Sequence, residues 1–200
     1  MRLTFIGQAD KEMPDKRNND LFDVNTYVFE ASFTDGKVVE IWAHSSFGSE
    51  MAAKEYAEKL GPRLGKLPEV MRNPLSHVVL HKGDEGAFAE AAANFFVLYS
   101  DNMDERIDNN DLEETVFHES VHASLDAMHL ENDAWLAAQN DDNAFITEYA
   151  QDIPIKEDLA ESALFVYTMK TYPGRLSNEI ESWVRENIPN RYAYISQIFP

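Results

Sequence analysis

Cysteine is absent from this chain of 200 residues, and no long apolar run interrupts its polar sequence. Without cysteine there is no disulfide bond and no thiolate zinc site, so any metal ligands must be histidine or carboxylate. The opening segment, MRLTFIGQADKEMPDKRNND, lacks the apolar stretch of a signal peptide. The sequence thus predicts neither a membrane span nor an export signal. A mature form would have lost its signal peptide, and we expect a secreted or periplasmic protein in that form.

Basic residues are also scarce. The chain has 17 Lys and Arg against 36 Asp and Glu, which gives a formal net charge of -19. Nucleic-acid phosphates and anionic membranes would be repelled by this charge, so we expect neither as a partner. The acidic residues are scattered rather than gathered in one tract, which favours a role in solubility in a salty medium over mimicry of a nucleic acid.

The first hundred residues contain short runs typical of β-strands. These runs are Leu3–Ile6, Thr26–Ala31, Val38–Trp42, His77–His81 and Asn94–Tyr99. Asp35-Gly36 between the second and third runs predicts a hairpin turn. An amphipathic helix is predicted from Ser49-Glu50 to Leu60, ended by Gly61-Pro62.

From Asp111 onward nearly the whole chain has the apolar periodicity of helices. A small twisted sheet with helices, followed by a helical C-terminal part, predicts an α+β fold. The helix that begins near Asp111 would bury one side, made of Leu112, Val116, Phe117, Val121, Leu125 and Met128.

That helix contains the segment His118-Glu119-Ser120-Val121-His122, an HExxH motif. Residues four apart share one face of a helix, so His118 and His122 can bind one zinc ion while Glu119 reaches a water beside it. Two packed histidines would have the same spacing, and the spacing alone does not choose between these alternatives. Asp126, one turn after His122, is a candidate for orienting a ligand histidine, with an ordinary surface position as its alternative.

A catalytic zinc site usually needs a third protein ligand. The metzincin pattern fails here, because Leu125 and Met128 stand where it requires glycine and histidine, and His129 is one residue late, about 100° away on a helix. The other known pattern is a glutamate on a later helix, followed one turn on by a second carboxylate. Glu157 and Glu161 fit that pattern, unless both are exposed surface carboxylates.

His118-Glu119-x-x-His122, with Glu157 thirty-five residues after the second histidine, resembles the gluzincin arrangement of zinc peptidases. Tyr149-Ala150 and Glu157–Glu161 are similar to the segment of the anthrax lethal factor catalytic domain that supplies its tyrosine and glutamate. Further likeness to uncharacterised bacterial zincin-like proteins extends from about His77 to the C-terminus. It includes His118–Asp126, Trp135–Gln139, Phe145-Ile146, Glu157–Ser162 and Pro189–Arg191. The first seventy residues resemble no family.

The resemblance implies one zincin-like domain over residues 1–200, with a strand-rich part at 1–70, a catalytic core at 77–200 and the HExxH helix between sheet and C-terminal helices. The strand Asn94–Tyr99 is similar to the edge strand along which zinc peptidases bind extended substrate, with a core strand buried by Phe95, Val97 and Tyr99 as its alternative. The expected partner is a peptide or protein substrate, and the expected state is a monomer.

The same resemblance implies a role for each candidate residue. His118, His122 and Glu157 would hold one catalytic Zn²⁺, and Glu119 would act as the general base toward its water. Tyr149 would donate a hydrogen bond to the oxyanion, with a packed tyrosine as the alternative, and Glu161 would orient His118. His81 receives no role.

Two other functions remain open at the level of sequence. One is a non-catalytic zincin-like protein with a binding or inhibitory role. The other is a metallohydrolase that cleaves a non-protein amide, such as a cell-wall peptide. Zinc content separates the first alternative from an enzyme, and a substrate screen separates the second.

Overall fold

A computed structural model describes residues 1–19 and 21–199 of the chain. Within these residues, six strands precede most of ten α-helices, so the fold is α+β, as predicted. The strands are β1 (Arg2–Glu12), β2 (Phe22–Ser32), β3 (Val38–Ala43), β4 (His77–His81), β5 (Phe88–Glu90) and β6 (Phe95–Tyr99). The helices are α1 (Glu50–Lys66), α2 (Glu69–Arg72), α3 (Ser100–Asp108), α4 (Leu112–Ser124), α5 (Asp126–His129), α6 (Asp133–Asp141), α7 (Glu148–Asp152), α8 (Asp158–Thr171), α9 (Asn178–Asn187) and α10 (Pro189–Ile198).

The strands form one mixed sheet in the order β1-β2-β3-β4-β6-β5. Antiparallel pairs join β1 to β2, β2 to β3 and β5 to β6, whereas β4 runs parallel to both β3 and β6. The predicted hairpin between β2 and β3 is confirmed. Gly36 takes a positive φ of 86° in its turn, a conformation that glycine adopts without a steric penalty.

The middle of the sheet is buried on both faces. All five residues of β6 are buried, and so are four of the five in β4, although side chains alternate between the two faces of a strand. An apolar cluster on one face consists of Met13, Val79, Phe95, Val97 and Tyr99. Trp42 and Phe88 pack against this cluster. β4 and β6 are therefore the most completely buried strands of the sheet.

The helix predicted to end at Gly61-Pro62 continues to Lys66, so that predicted boundary was wrong. Its start is confirmed, because Ser49 accepts a hydrogen bond from the amide of Ala52. Pro62 lacks the backbone N–H that would pair with the carbonyl of Glu58, yet the helix continues past it. Leu60 and Leu64 are both fully buried on either side of the proline. Packing of this continuous apolar stripe overrides the local helix breakers.

The chain divides into two compact units after Ser124. The first unit contains the sheet and α1 to α4, and the second contains α5 to α10. In the second unit, α10 packs against α6, α8 and α9. The single domain over 1–200, with parts at 1–70 and 77–200, stays a prediction. No helix among the described residues is long and apolar enough to cross a membrane.

Candidate metal centre

The HExxH segment lies on α4, at the end of the first unit. His118 and His122 are one turn apart, and 3.1 Å separates their Nε2 atoms. Two nitrogen ligands of one tetrahedral zinc ion, each about 2.0–2.1 Å from it, are separated by about 3.3 Å. A single N–H···N hydrogen bond has a similar length, and a bound cation would replace it. The two imidazoles thus already have the spacing that a shared metal ion requires.

The C-terminal half of α4 is held by short polar contacts within the first unit. Ser120 Oγ donates to the carbonyl of Val116 at 2.6 Å, and Ser124 Oγ donates to the carbonyl of Ser120. Asn94, which has a positive φ of 56° just before β6, donates through Nδ2 to the carbonyl of Ala123 at 3.0 Å. The Asn94 contact ties the end of this helix to the residue just before β6, whereas the two serine contacts lie within α4 itself.

The predicted buried side of this helix is confirmed from Leu112 to Leu125 but wrong at Met128, which is 57% exposed. α4 ends at Ser124, Leu125 lies in a turn, and α5 begins at Asp126, so the helical periodicity does not continue to Met128. The surface alternative for Asp126 was also wrong, because this residue is buried. The spacing of apolar residues does not reveal the turn at Leu125, because no proline or glycine marks the end of α4 there.

Glu157 occupies the N-cap position of α8 in the second unit. The helix itself begins one residue later, at Asp158. The preceding residues form a turn in which the Glu157 amide donates to the carbonyl of Ile153 at 2.9 Å. Glu157 is only 3% exposed, which excludes the alternative of a surface carboxylate.

Among the described residues, His118, His122 and Glu157 form a group that can hold a metal ion. One ligand atom from each residue lies within 4.8 Å of the other two. Ligand atoms of one tetrahedral zinc lie about 3.3 Å apart, a separation that falls inside this limit. Two imidazoles and one carboxylate, without thiolate, are a donor set that zinc accepts at catalytic sites. The residues therefore fit a divalent cation.

Glu119, Tyr149 and Glu161 differ in their exposure to solvent. Glu119 follows His118 on α4 and is 8% exposed. Tyr149 lies on α7, where Thr147 Oγ1 accepts from the amide of Ala150, and it is 48% exposed. Glu161 is partly buried in the first turn of α8. The catalytic roles assigned to these three residues stay predictions.

No pattern in the sequence predicted the buried ion pairs at Asp158, the residue after Glu157. Its carboxylate accepts from Arg191 Nε at 2.7 Å, and Arg191 also pairs with Asp142. The side chains of all three residues have no exposed surface. Their separation along the chain explains the omission, because no local pattern pairs α8 with α10.

Other histidines have their own partners. His81 lies in the sheet, where its Nε2 is 3.0 Å from the carbonyl oxygen of Pro14, and burial lowers its pKa. His129 Nδ1 is 2.7 Å from the hydroxyl of Tyr194, and burial likewise lowers the pKa of this histidine. Among the described residues, the group that can hold a metal does not include either of them.

For Asn94–Tyr99 the alternative of a buried core strand is confirmed, and the prediction of an edge strand was wrong. β6 lies between β4 and β5, and the edge on this side of the sheet is β5. β5 has only three residues, Phe88–Glu90, so no alternation of apolar and polar residues could reveal it. It contacts α4 within the first unit. An edge strand does therefore lie next to the HExxH helix, one strand further out than predicted.

Comparison with models of protein families, with curated proteins and with solved structures finds no match to this chain. The likeness of its motifs to gluzincins accordingly stays a resemblance. Only the chemistry of the site itself bears on what the protein does.

Proposed function

We propose that this chain is a zinc-dependent endopeptidase of the gluzincin type, with a zincin-like fold. The observation that carries the proposal is the grouping of His118, His122 and Glu157, with the acidic residue Glu119 directly after the first histidine. Three protein ligands leave one position of a tetrahedral ion for water or substrate. A structural zinc site would instead have four protein ligands, and this chain has no cysteine to supply one.

Zinc, when bound, supplies a water whose pKa is lowered toward neutrality and polarises the scissile carbonyl. Glu119 accepts the proton of the attacking water and gives it to the leaving nitrogen. Its low exposure of 8% favours this exchange, because a carboxylate shielded from bulk water transfers a proton within the site.

Tyr149 and Glu161 support the reaction in different ways. Tyr149 is half exposed on α7, so its phenol remains accessible to a substrate and can donate a hydrogen bond to the developing oxyanion. Glu161 lies one turn after Glu157 on the partly buried side of α8 and orients the imidazole of His118.

The sheet edge provides a place for substrate. β5 contacts α4, and the sheet ends at β5, so an extended peptide can pair with its outer backbone groups. Backbone pairing recognises a peptide largely independently of its side chains. This favours a peptide or unstructured protein as substrate, whereas the charge of -19 disfavours nucleic acid.

Two variants of α4 test the proposal. His118→Ala should abolish stoichiometric zinc binding, measured by metal analysis of the dialysed protein. Glu119→Gln should retain zinc and reduce the hydrolysis of casein by about 10²- to 10⁴-fold, because general base catalysis is lost while all ligands remain. Glu114→Gln is the matched control, since it makes the same change at an exposed position of the same helix and should leave hydrolysis unchanged.

The outcomes separate the enzyme from the two other functions. A purified wild-type protein that binds no zinc would support a non-catalytic zincin-like protein. Zinc without casein hydrolysis, but with cleavage of cell-wall peptides, would support a metallohydrolase of another amide. Unchanged hydrolysis in Glu119→Gln would show that this residue is not the base.

A further inference from the structure

A fully buried carboxylate directly follows the proposed ligand Glu157. The Asp158 side chain accepts hydrogen bonds from Arg191 Nε at 2.7 Å, Gln139 Nε2 at 2.8 Å and Ser162 Oγ at 3.1 Å. Three donors around one carboxylate fix its position, because every bond constrains the same two oxygens. The first residue of α8 is thereby anchored, and Glu157 is its immediate neighbour.

Arg191 connects this anchor to the rest of the second unit. Its Nη1 donates to the carboxylate of Asp142 at 3.3 Å and to the carbonyl of Ala144 at 3.0 Å. Its guanidinium carbon lies 4.7 Å from the ring centroid of Phe145. The planar guanidinium thus joins the start of α10, the segment after α6 and the start of α8. A lysine has no such fork of donors.

The turn before Glu157 is tied at its other end as well. Gln139 donates through the same amide nitrogen to Asp158 and to the carbonyl of Pro154, at 3.0 Å. The backbone of Glu157 is held by Ile153 on one side and by Glu161, whose amide donates to the Glu157 carbonyl at 2.9 Å, on the other. The residue at which α8 begins determines where the Glu157 side chain points.

We infer that Arg191 is a positioning residue for the Glu157 carboxylate, which it fixes through Asp158. The inference rests on the proposed zinc site. A buried ion network stabilises a fold poorly in comparison with apolar packing, so its value here is a fixed geometry. Residues that support metal ligands from behind typically change metal affinity by about 10- to 100-fold when they are replaced.

The test is the zinc affinity of the full chain, measured by competition with a chromogenic chelator. Arg191→Lys keeps the charge but cannot reach Asp158 and Asp142 together, and it should weaken zinc binding by about 10- to 100-fold. The visible spectrum of the Co²⁺-loaded variant, which depends on the ligand set, should shift toward that of Glu157→Gln. Loss of stability alone would not produce this shift.

Val184→Ala is the matched control. Val184 is fully buried in the second unit, in an apolar cluster with Met169 and Ile188. It should lower stability and leave the zinc affinity of the folded protein unchanged. If both variants lose affinity in proportion to their loss of stability, Arg191 is only structural and the inference is overturned.

Gln139→Met provides a milder test should Arg191→Lys fail to fold. It removes the bonds to Asp158 and Pro154 at a partly exposed position, and it should weaken zinc binding in the same direction but less. Wild-type affinity in either folded variant would overturn the inference while the zinc site stands. Absence of zinc binding by the wild-type protein would instead overturn the proposed function itself.

Discussion

At the scale of single residues, the six histidines of this chain have different environments. His118 and His122 face each other, whereas His77 lies between the rings of Trp42 and Phe95, with centroid distances of 3.6 and 4.5 Å. The Nε2 atom of His77 is buried without a hydrogen-bond partner. Only the HExxH spacing distinguished the first pair in the sequence. The stack around His77 joins residues from three strands, so no local pattern could predict it.

His77 should make stability depend on pH. Burial lowers its pKa from 6.5 to about 4, so between these values the unfolded state binds more protons than the folded state. The contribution of His77 to the free energy of unfolding is therefore fully present above about pH 6.5 and is lost as the pH falls toward 4. Between about pH 7 and pH 5, His77 should account for a loss of about 1–2 kcal/mol, where the lower figure allows for its partial exposure.

Urea unfolding of the wild type and of His77→Phe at both pH values measures this effect. Phenylalanine keeps the stack of rings but cannot bind a proton, so its loss of stability on acidification should be smaller by the stated amount. Equal losses in the two proteins would mean that His77 is not the residue responsible.

At the scale of elements, the start of α1 was easier to predict than its end. Ser49 caps α1 as expected, because an N-cap depends on one side chain and an amide three residues away. The end of α1 depends instead on what its continued apolar stripe contacts, and Gly61-Pro62 did not stop it. β5 was missed for a related reason, since a strand of three residues exists only by pairing with β6.

Gly61→Ala should stabilise the protein, although Gly61 is buried. The new methyl group would come within 2.7 Å of the Met1 Cε atom, but this is the end of a flexible side chain on a residue that is 47% exposed. Once Met1 moves aside, alanine should gain about 0.5–1 kcal/mol from its higher helix propensity. Urea unfolding followed by circular dichroism measures the change.

Gly36→Ala is the control for that prediction, because the same substitution should here lower the free energy of unfolding. Gly36 has open space around it but a φ of 86°, so alanine should destabilise the hairpin by about 1 kcal/mol. A loss of stability in Gly61→Ala would show that Met1 is held in place against α1.

At the scale of the whole molecule, charge is the dominant feature. With 36 acidic against 17 basic residues, the whole chain carries a formal net charge of -19. Compaction brings these like charges closer together, which opposes folding, and salt screens them. Buried pairs such as Arg191 and Asp158 are screened much less, because solvent does not reach them.

The thermal midpoint should therefore rise with ionic strength. Between about 20 mM and about 500 mM NaCl, the Debye length falls from roughly 20 Å to about 4 Å, and repulsion among surface carboxylates weakens accordingly. We expect an increase of several degrees, measured by circular dichroism with the metal removed. KCl should act equally. A midpoint that falls with salt would mean that attractive ion pairs outweigh the repulsion.

The sequence by itself determined the features that depend on near neighbours. These are the α+β class, the hairpin at Asp35-Gly36, the start of α1 and the one-turn spacing of His118 and His122. Local backbone geometry fixes each of them, so a few adjacent residues suffice.

Only the tertiary structure decided which distant groups meet. Glu157 lies near the two histidines although thirty-five residues separate it from His122, and Arg191 reaches Asp158 from another helix. Tertiary packing also decided that Met128 is exposed, that Asp126 is buried and that β5 forms the edge of the sheet. Each depends on where segments far apart in the chain pack, and that packing reflects burial of the whole chain rather than the preference of any one segment.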